Sequence, residues 1–277
     1  MKLKTFSYNQ LDTFVHRLSG LSKLVCFLLL TSAIMFTYDT RVIIGVLILS
    51  YIMILVSKIR FSQIKVMLIY VGIFLLFNFI LTFLFSPQYG VEIYGTRHEL
   101  FKIAGPYVMT AEQLFYQVTK FLKYLSVIPL GIIFILTTNP SEFASSLNGI
   151  GVSYRVCTSL ALTLRYFPDV AADYNTISLA QQARGIEMSA KASLIDRLKR
   201  TASILIPLIM TTMERIDIIS NAMDLRGFGK HPKRTWYMKK PLKKADYLAM
   251  AVSLIVLLIS LYVRFFINHS IYWNPFI

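Results

Sequence analysis

The chain has 277 residues, with 29 Lys and Arg against 14 Asp and Glu, a formal net charge of +15 and a 56% apolar composition. Its mean hydropathy of +0.59 lies above the range of water-soluble globular chains and excludes an ordinary soluble domain. Cys26 and Cys157 are isolated, and His16, His98, His231 and His269 are scattered, which excludes a disulfide framework and a metal-ligand spacing.

Five uncharged, mostly apolar runs follow along the chain, at residues 24–38, 42–57, 66–91, 124–141 and 247–263. A spanning helix needs about 20 predominantly apolar residues. The third and fourth runs meet that length, and the others reach it when Lys23, Arg41 or Arg264 snorkels toward the headgroups. The first run follows a polar stretch without a small-residue cleavage site, so it reads as a retained helix and not a signal peptide. Lys2, Lys4, Arg17 and Lys23 precede it, and Lys58, Arg60 and Lys65 fill the link between the second and third runs. By the positive-inside rule the N-terminus is cytoplasmic. Five spans then leave a long basic segment inside and the C-terminal tail outside. The link over 86–119 is nearly balanced in charge, and its Tyr and Gly content suits an ordered outer loop.

None of the five runs contains a charged residue, which argues against an ion-coupled carrier. Asn78 reads as an interhelical hydrogen-bonding group. Phosphate-loop, H-E-x-x-H and G-x-S-x-G patterns are all absent. The expected fold is an all-α integral membrane protein with about five transmembrane helices and a cytoplasmic set of amphipathic helices. Residues 1–138 hold four spans, 139–244 form the cytoplasmic domain, and 245–277 form the last span and outer tail. No nucleic-acid partner is expected, and the lipid bilayer is one partner. The alternative is a membrane-embedded enzyme acting on lipid or isoprenoid substrates. Asp169 and Asp173, on one helical face, are its acidic candidates, although a solvated helix start explains them better.

The cytoplasmic segment opens with Asn139 as N-cap, Pro140 at the first helical position and Glu142 reaching back. Gly149 and Gly151 end this short helix. A second, apolar stretch runs from Tyr154 to Phe167, and Pro168 is expected to start a third helix and re-aim the chain. A fourth helix, from about Thr201, carries Ile209, Met213, Ile216, Ile219 and Met223 at spacings of three and four. Its opening stretch, 201–213, is too short for a sixth span.

The third and fourth helices close alike, with Ala180-Gln-Gln-Ala183-Arg184-Gly185 and Ala222-Met-Asp-Leu225-Arg226-Gly227, each followed by an apolar residue. Glycine past the last turn takes the left-handed cap, arginine complements the helix dipole, and alanine one turn earlier permits close approach. Such an end suits docking on a carboxylate, which Arg can grip with two bonds. A single Arg-Gly is an ordinary helix terminus; two matched copies on consecutive helices point to a two-pronged docking element.

These residues resemble the transmembrane component of energy-coupling factor transporters, the family of cobalt- and vitamin-uptake permeases. The likeness rests on Val15-His-Arg-Leu18-Ser-Gly-Leu-Ser-Lys23-Leu24, on Thr137-Thr-Asn-Pro140-Ser-Glu142 through Leu164-Arg165-Tyr-Phe-Pro168, and on the paired Ala-Arg-Gly ends. The first passage has Ser19-Gly20 where the family usually has Asp-Pro. The resemblance implies a non-catalytic subunit in a bacterial cytoplasmic membrane. Its coupling helices would dock Arg184 and Arg226 on two ATP-binding-cassette ATPase subunits, which bind the ATP and Mg; this chain would hold no cofactor. Ala180, Ala183, Ala222 and Leu225 would border the contacts, and Gly185 and Gly227 would end the helices. The stripe of Ile209, Met213, Ile216, Ile219 and Met223 would bear on a small substrate-binding membrane subunit or on the other coupling helices.

Overall fold

The computed structural model describes residues 13–59, 61–104, 107–185, 194–231, 235–237 and 239–276. They fall into two compact units, one of Met1–Asn139 with Lys240–Ile277 and one of Pro140–Lys239.

In the first unit, five apolar helices occupy the five places the sequence marks. They are α2 (Gly20–Met35), α3 (Thr40–Val56), α4 (Phe61–Phe85), α6 (Ala111–Thr137) and α10 (Lys244–Tyr262), preceded by the short α1 (Phe14–Arg17). Three candidate spans, Met67–Phe85, Ala111–Thr137 and Lys244–Ile267, are long and apolar enough to cross a membrane, while α2 and α3 are shorter apolar helices. The chain is thus an all-α multi-pass membrane protein.

α2 and α6 run antiparallel, and each supplies a buried lysine to the other's end. Lys23 Nζ donates to Thr137 O at 2.8 Å, at the C-terminus of α6. Lys123 Nζ donates to Met35 O and Thr37 O at 3.2 and 3.3 Å, where α2 ends, and it lies 3.7 Å from the Tyr38 ring centroid. The last carbonyls of a helix lack intrahelical donors, and a cation there also opposes the helix dipole. Asp246 does the converse for α2 and α10, which run parallel. Its carboxylate accepts Ser19 N–H at 2.7 Å, Ser22 Oγ–H at 2.8 Å and Lys243 N–H at 2.8 Å, so one anion serves two helix N-termini. Ser260 Oγ donates to Ala33 O at the far end of the same pair, at 2.7 Å. Leu30, Ile34, Val46 and Leu130 form the apolar core between α2, α3 and α6.

The fourth span begins well before its uncharged run. α6 starts at Ala111, so Glu112, Lys120 and Lys123 belong to the helix, contrary to an uncharged membrane core. Each finds a partner, Lys120 with Thr82 Oγ1 at 3.0 Å and Glu112 with His98 Nδ1 at 2.6 Å. The link between α4 and α6 is ordered. It holds α5 (Tyr89–Tyr94) and an antiparallel hairpin of β1 (Glu99–Ala104) and β2 (Tyr107–Thr110). Residues after α10 fold back over this end. Tyr38 N–H donates to Ile271 O at 2.8 Å, Asn268 Nδ2 to Asp39 at 2.9 Å and Asn274 Nδ2 to Tyr94 O at 3.0 Å. Arg41 pairs with Asp39 at 2.9 Å and lies over the Trp273 ring. Burial pushes the Asp39 carboxyl up, but the bonds from Arg41 and Asn268 outweigh it and hold the group below its usual range.

The second unit contains α7 (Pro140–Gly149), α8 (Tyr154–Ala183) and α9 (Leu194–Leu225). Pro140 opens α7 as the sequence suggests. The expected break at Pro168 does not occur: α8 is one helix of 30 residues with Pro168 inside it. α9 likewise begins before Thr201 and carries Pro207 in its interior. A proline inside a helix removes one backbone bond at a cost of about 3 kcal/mol, and here the flanking turns continue through it.

Two substitutions test this construction. Lys123→Met removes the donor from the Met35 and Thr37 carbonyls, the second of them buried, and is expected to cost about 1–3 kcal/mol. It should lower the thermal midpoint in mild detergent, while the exposed Lys65→Met should not. Gly90→Ala should destabilise too, because a Cβ at Gly90 would stand 2.5 Å from the backbone of Gln113, and backbone cannot swing aside as a flexible side chain does.

Candidate functional site

α8 and α9 lie antiparallel. Gln181 Nε2 donates to Ser203 O at 3.1 Å, and Arg215 Nη2 donates to Asp173 Oδ2 at 2.7 Å. The beginning of α8 consequently lies beside the end of α9. The two Arg-Gly termini sit at opposite ends of the pair, separated by roughly 35–40 Å at the helical rise of about 1.5 Å per residue.

Both termini have the cap geometry their residues favour. Gly185 has φ +86° and Gly227 φ +70°, a region that a Cβ would strain. At the second terminus Gly227 N–H bonds to Asp224 O at 2.9 Å and Phe228 N–H to Met223 O at 3.0 Å, the complete two-bond cap of a left-handed terminus. At the first, Gly185 N–H bonds to Gln182 O at 3.0 Å, and the following residues, Ile186 onward, lie outside the described residues. The two glycines therefore share a left-handed conformation and the bond to the carbonyl three residues earlier, and an arginine stands at each stop.

The predicted docking residues are uncovered. Ala180, Ala183, Arg184, Gly185, Ala222 and Arg226 are exposed, Gly227 is partly buried, and Leu225 is 91% exposed. The end of α9 is tied down by a connection that sequence reasoning missed. Tyr154, which opens α8, packs against Phe228 and Trp236 with ring centroids at 5.9 and 5.2 Å. Trp236 Nε1 donates to Asn148 Oδ1 at 3.1 Å. The signal was present as two aromatics just beyond the second Arg-Gly, in a polar stretch.

The apolar stripe of α9 does not face α8 as a core would. Among the described residues of α9 the buried apolar side chains are Ile204 and Leu208, whereas Ile209, Met213 and Ile216 of the stripe are 59%, 55% and 51% exposed. Ile216, Ile219 and Met223 form one wall of a groove of about 500 Å³, and Leu162, Tyr166 and Phe167 of α8 form part of the other. Ile209 and Met213 lie outside the groove, in the adjoining turns of α9. The α8 wall was missed because its residues read as buried from composition. An exposed apolar patch of this kind marks an interaction surface.

Asp173 is committed to Arg215, far from a helix start, which corrects the solvated-terminus reading and removes one acid from the enzyme alternative. Among the described residues no group of three or more His, Cys, Asp or Glu side chains could hold a metal ion.

Known proteins share this organisation in sequence. Residues 12–237 match the model of the CbiQ family, described as cobalt transport protein. The energy-coupling factor transporter transmembrane protein EcfT of Streptococcus thermophilus is 25% identical over 263 residues, covering 91% of this chain and 95% of the relative. That of Lactococcus lactis subsp. cremoris is 27% identical over 259 residues, covering 90% and 93%. That of Leuconostoc gelidum subsp. gasicomitatum is 31% identical over 185 residues, covering 64% and 65%. With most of its length matched, the chain belongs to the CbiQ cobalt transport protein family, as a transmembrane component of the energy-coupling factor type.

Proposed function

We propose that the chain is the coupling subunit of an energy-coupling factor importer, with its N-terminus and residues 140–239 on the cytoplasmic side. Two ATP-binding-cassette ATPases, which bind the ATP and Mg, dock on the Arg184 and Arg226 ends. Their motion passes along α8 and α9, and through the two chain connections at 139–140 and 239–240, to the membrane helices. A separate small membrane subunit binds the vitamin or metal ion and rests on the groove and stripe of the second unit.

One observation carries this reading: two helices capped in the same way present an exposed arginine at opposite ends of one antiparallel pair. Two like receptors on two like subunits need two like prongs held apart. Each guanidinium is suited to a two-bond grip on a carboxylate in an ATPase groove, and the neighbouring alanines leave room for the groove wall. The membrane unit supports the same division of labour, because its buried cations and acids are used to hold helix ends.

Two experiments test the assignment. Reversing Arg184 and Arg226 to Glu should cost about 2–5 kcal/mol per broken interfacial charge pair. The double variant should insert normally, lose ATPase subunits in a mild-detergent pull-down and abolish uptake; normal ATP-dependent uptake would sink the role of both arginines. Ile216→Asp places a charge at an already exposed groove position, so folding should be unaffected. It should release the small membrane subunit while the ATPases stay bound; loss of the ATPases with retention of that subunit would reverse the two surfaces.

A further inference from the structure

The membrane unit contains a second feature that the coupling reading does not use. A cavity of about 240 Å³ lies among α1, α2, α3, α6 and α10, at the end where Asp246 joins the helix N-termini. Its walls include Phe14, Leu18, Met53, Ile133, Leu248 and Val252. Phe14, Leu248 and Val252 are also exposed, so the cavity opens sideways at the surface of the helix bundle.

The polar atoms of its lining are already satisfied. Ser50 Oγ donates to Leu47 O, Ser253 Oγ to Ala249 O and Lys23 Nζ to Thr137 O. The cavity is large enough for several waters, yet its lining is almost wholly apolar, and its few polar side chains already bond within the protein. Such a lining suits a polar vitamin or a metal ion poorly. A partner helix, about 10 Å across, does not enter a space of this size. A flexible hydrocarbon chain does.

Charge at the rim selects the head that goes with the chain. Arg17 is exposed beside the lining residue Leu18, and Lys243 and Lys244 are exposed beside the lining residue Ala245. Lys240 Nζ donates to His16 O at 3.2 Å, which fastens the basic stretch before α10 to α1. Asp246, the acid closest in sequence to Lys243 and Lys244, is buried and occupied by the Ser19 and Lys243 backbone N–H groups and the Ser22 hydroxyl. Among the described residues no carboxylate pairs with Arg17, Lys243 or Lys244.

We propose that this cavity is a binding site for one acyl chain of an anionic phospholipid, whose phosphate is held at the rim by Arg17, Lys243 and Lys244. The site depends only on the membrane unit and is independent of the docking assignment for Arg184 and Arg226.

The test uses the full-length chain in phosphatidylcholine nanodiscs carrying a minor fraction of phosphatidylglycerol with a photoactivatable acyl chain. Crosslinks should concentrate on peptides containing Met53 and residues 248–252, and photoactivatable phosphatidylcholine should label them weakly. The combined Arg17→Gln, Lys243→Gln and Lys244→Gln variant should weaken phosphatidylglycerol binding about fivefold per charge removed, read by competition with unlabelled lipid. Ala249→Phe, or the milder Ala249→Leu, should fill the cavity and remove the crosslinks. Equal labelling by the two lipids overturns the headgroup assignment. Crosslinks spread evenly along the exposed face of α4, or undiminished in Ala249→Phe, overturn the cavity itself. Because the first measurement uses the unaltered chain, a variant that fails to fold leaves the proposal testable.

Discussion

The membrane unit depends on how the ends of α2 and α6 are closed. A bilayer offers no water to unpaired backbone groups, so each exposed carbonyl or N–H must find a partner within the protein. Lys23 closes α6, Lys123 closes α2, and Asp246 closes α2 and α10 at their beginnings. Each of these groups would be expensive to bury alone, and each is placed at the pole of a helix dipole where its charge is favoured. α3 packs against α6 alongside this frame, with Ser126 Oγ reaching Ile43 O. α4 is the outlier, bonded to α6 through Gln117 and Lys120 and otherwise largely exposed.

The second unit uses its chemistry in the opposite way. The bonds that join its two long helices include an ion pair, Asp173 with Arg215, and a side-chain-to-backbone bond, Gln181 with Ser203, and the described residues leave much apolar and cationic surface uncovered. A helix pair with exposed Ile209, Met213, Ile216 and Leu225 is poorly accounted for as a free-standing body. It makes sense as part of an assembly that covers those faces, which agrees with membership of a family of transporter components.

Much of this was legible in the sequence. The five apolar runs located five helices, because hydrocarbon length and apolar composition are local properties. The paired Arg-Gly ends were legible for the same reason, since a left-handed cap is specified by one glycine and its neighbours. The misses share another physical origin. Pro168 satisfies local rules for a helix start, but it lies within a continuous helix, as tertiary packing can override local propensity. The early start of α6 was hidden because Lys120 and Lys123 look like loop residues until Thr82, Met35 and Thr37 are brought beside them. The antiparallel setting of α8 and α9, which separates the two arginines, depends on contacts across tens of residues and has no local signature.

The contacts made by the segment after α10 also have a consequence for biogenesis. Ile271 O accepts from Tyr38 N–H and Asn268 Nδ2 donates to Asp39, in the turn between α2 and α3, and Asn274 Nδ2 donates to Tyr94 O in the link before α6. The turn at Tyr38 and Asp39 leaves the ribosome early, yet its partners follow the last membrane helix. Until that helix has been inserted, Asp39 lacks Asn268, and Tyr38 lacks the Ile271 carbonyl for its N–H. This face of the protein is therefore the last to mature, and a chain stalled before α10 would display an unfinished surface that quality-control machinery could distinguish from the completed one.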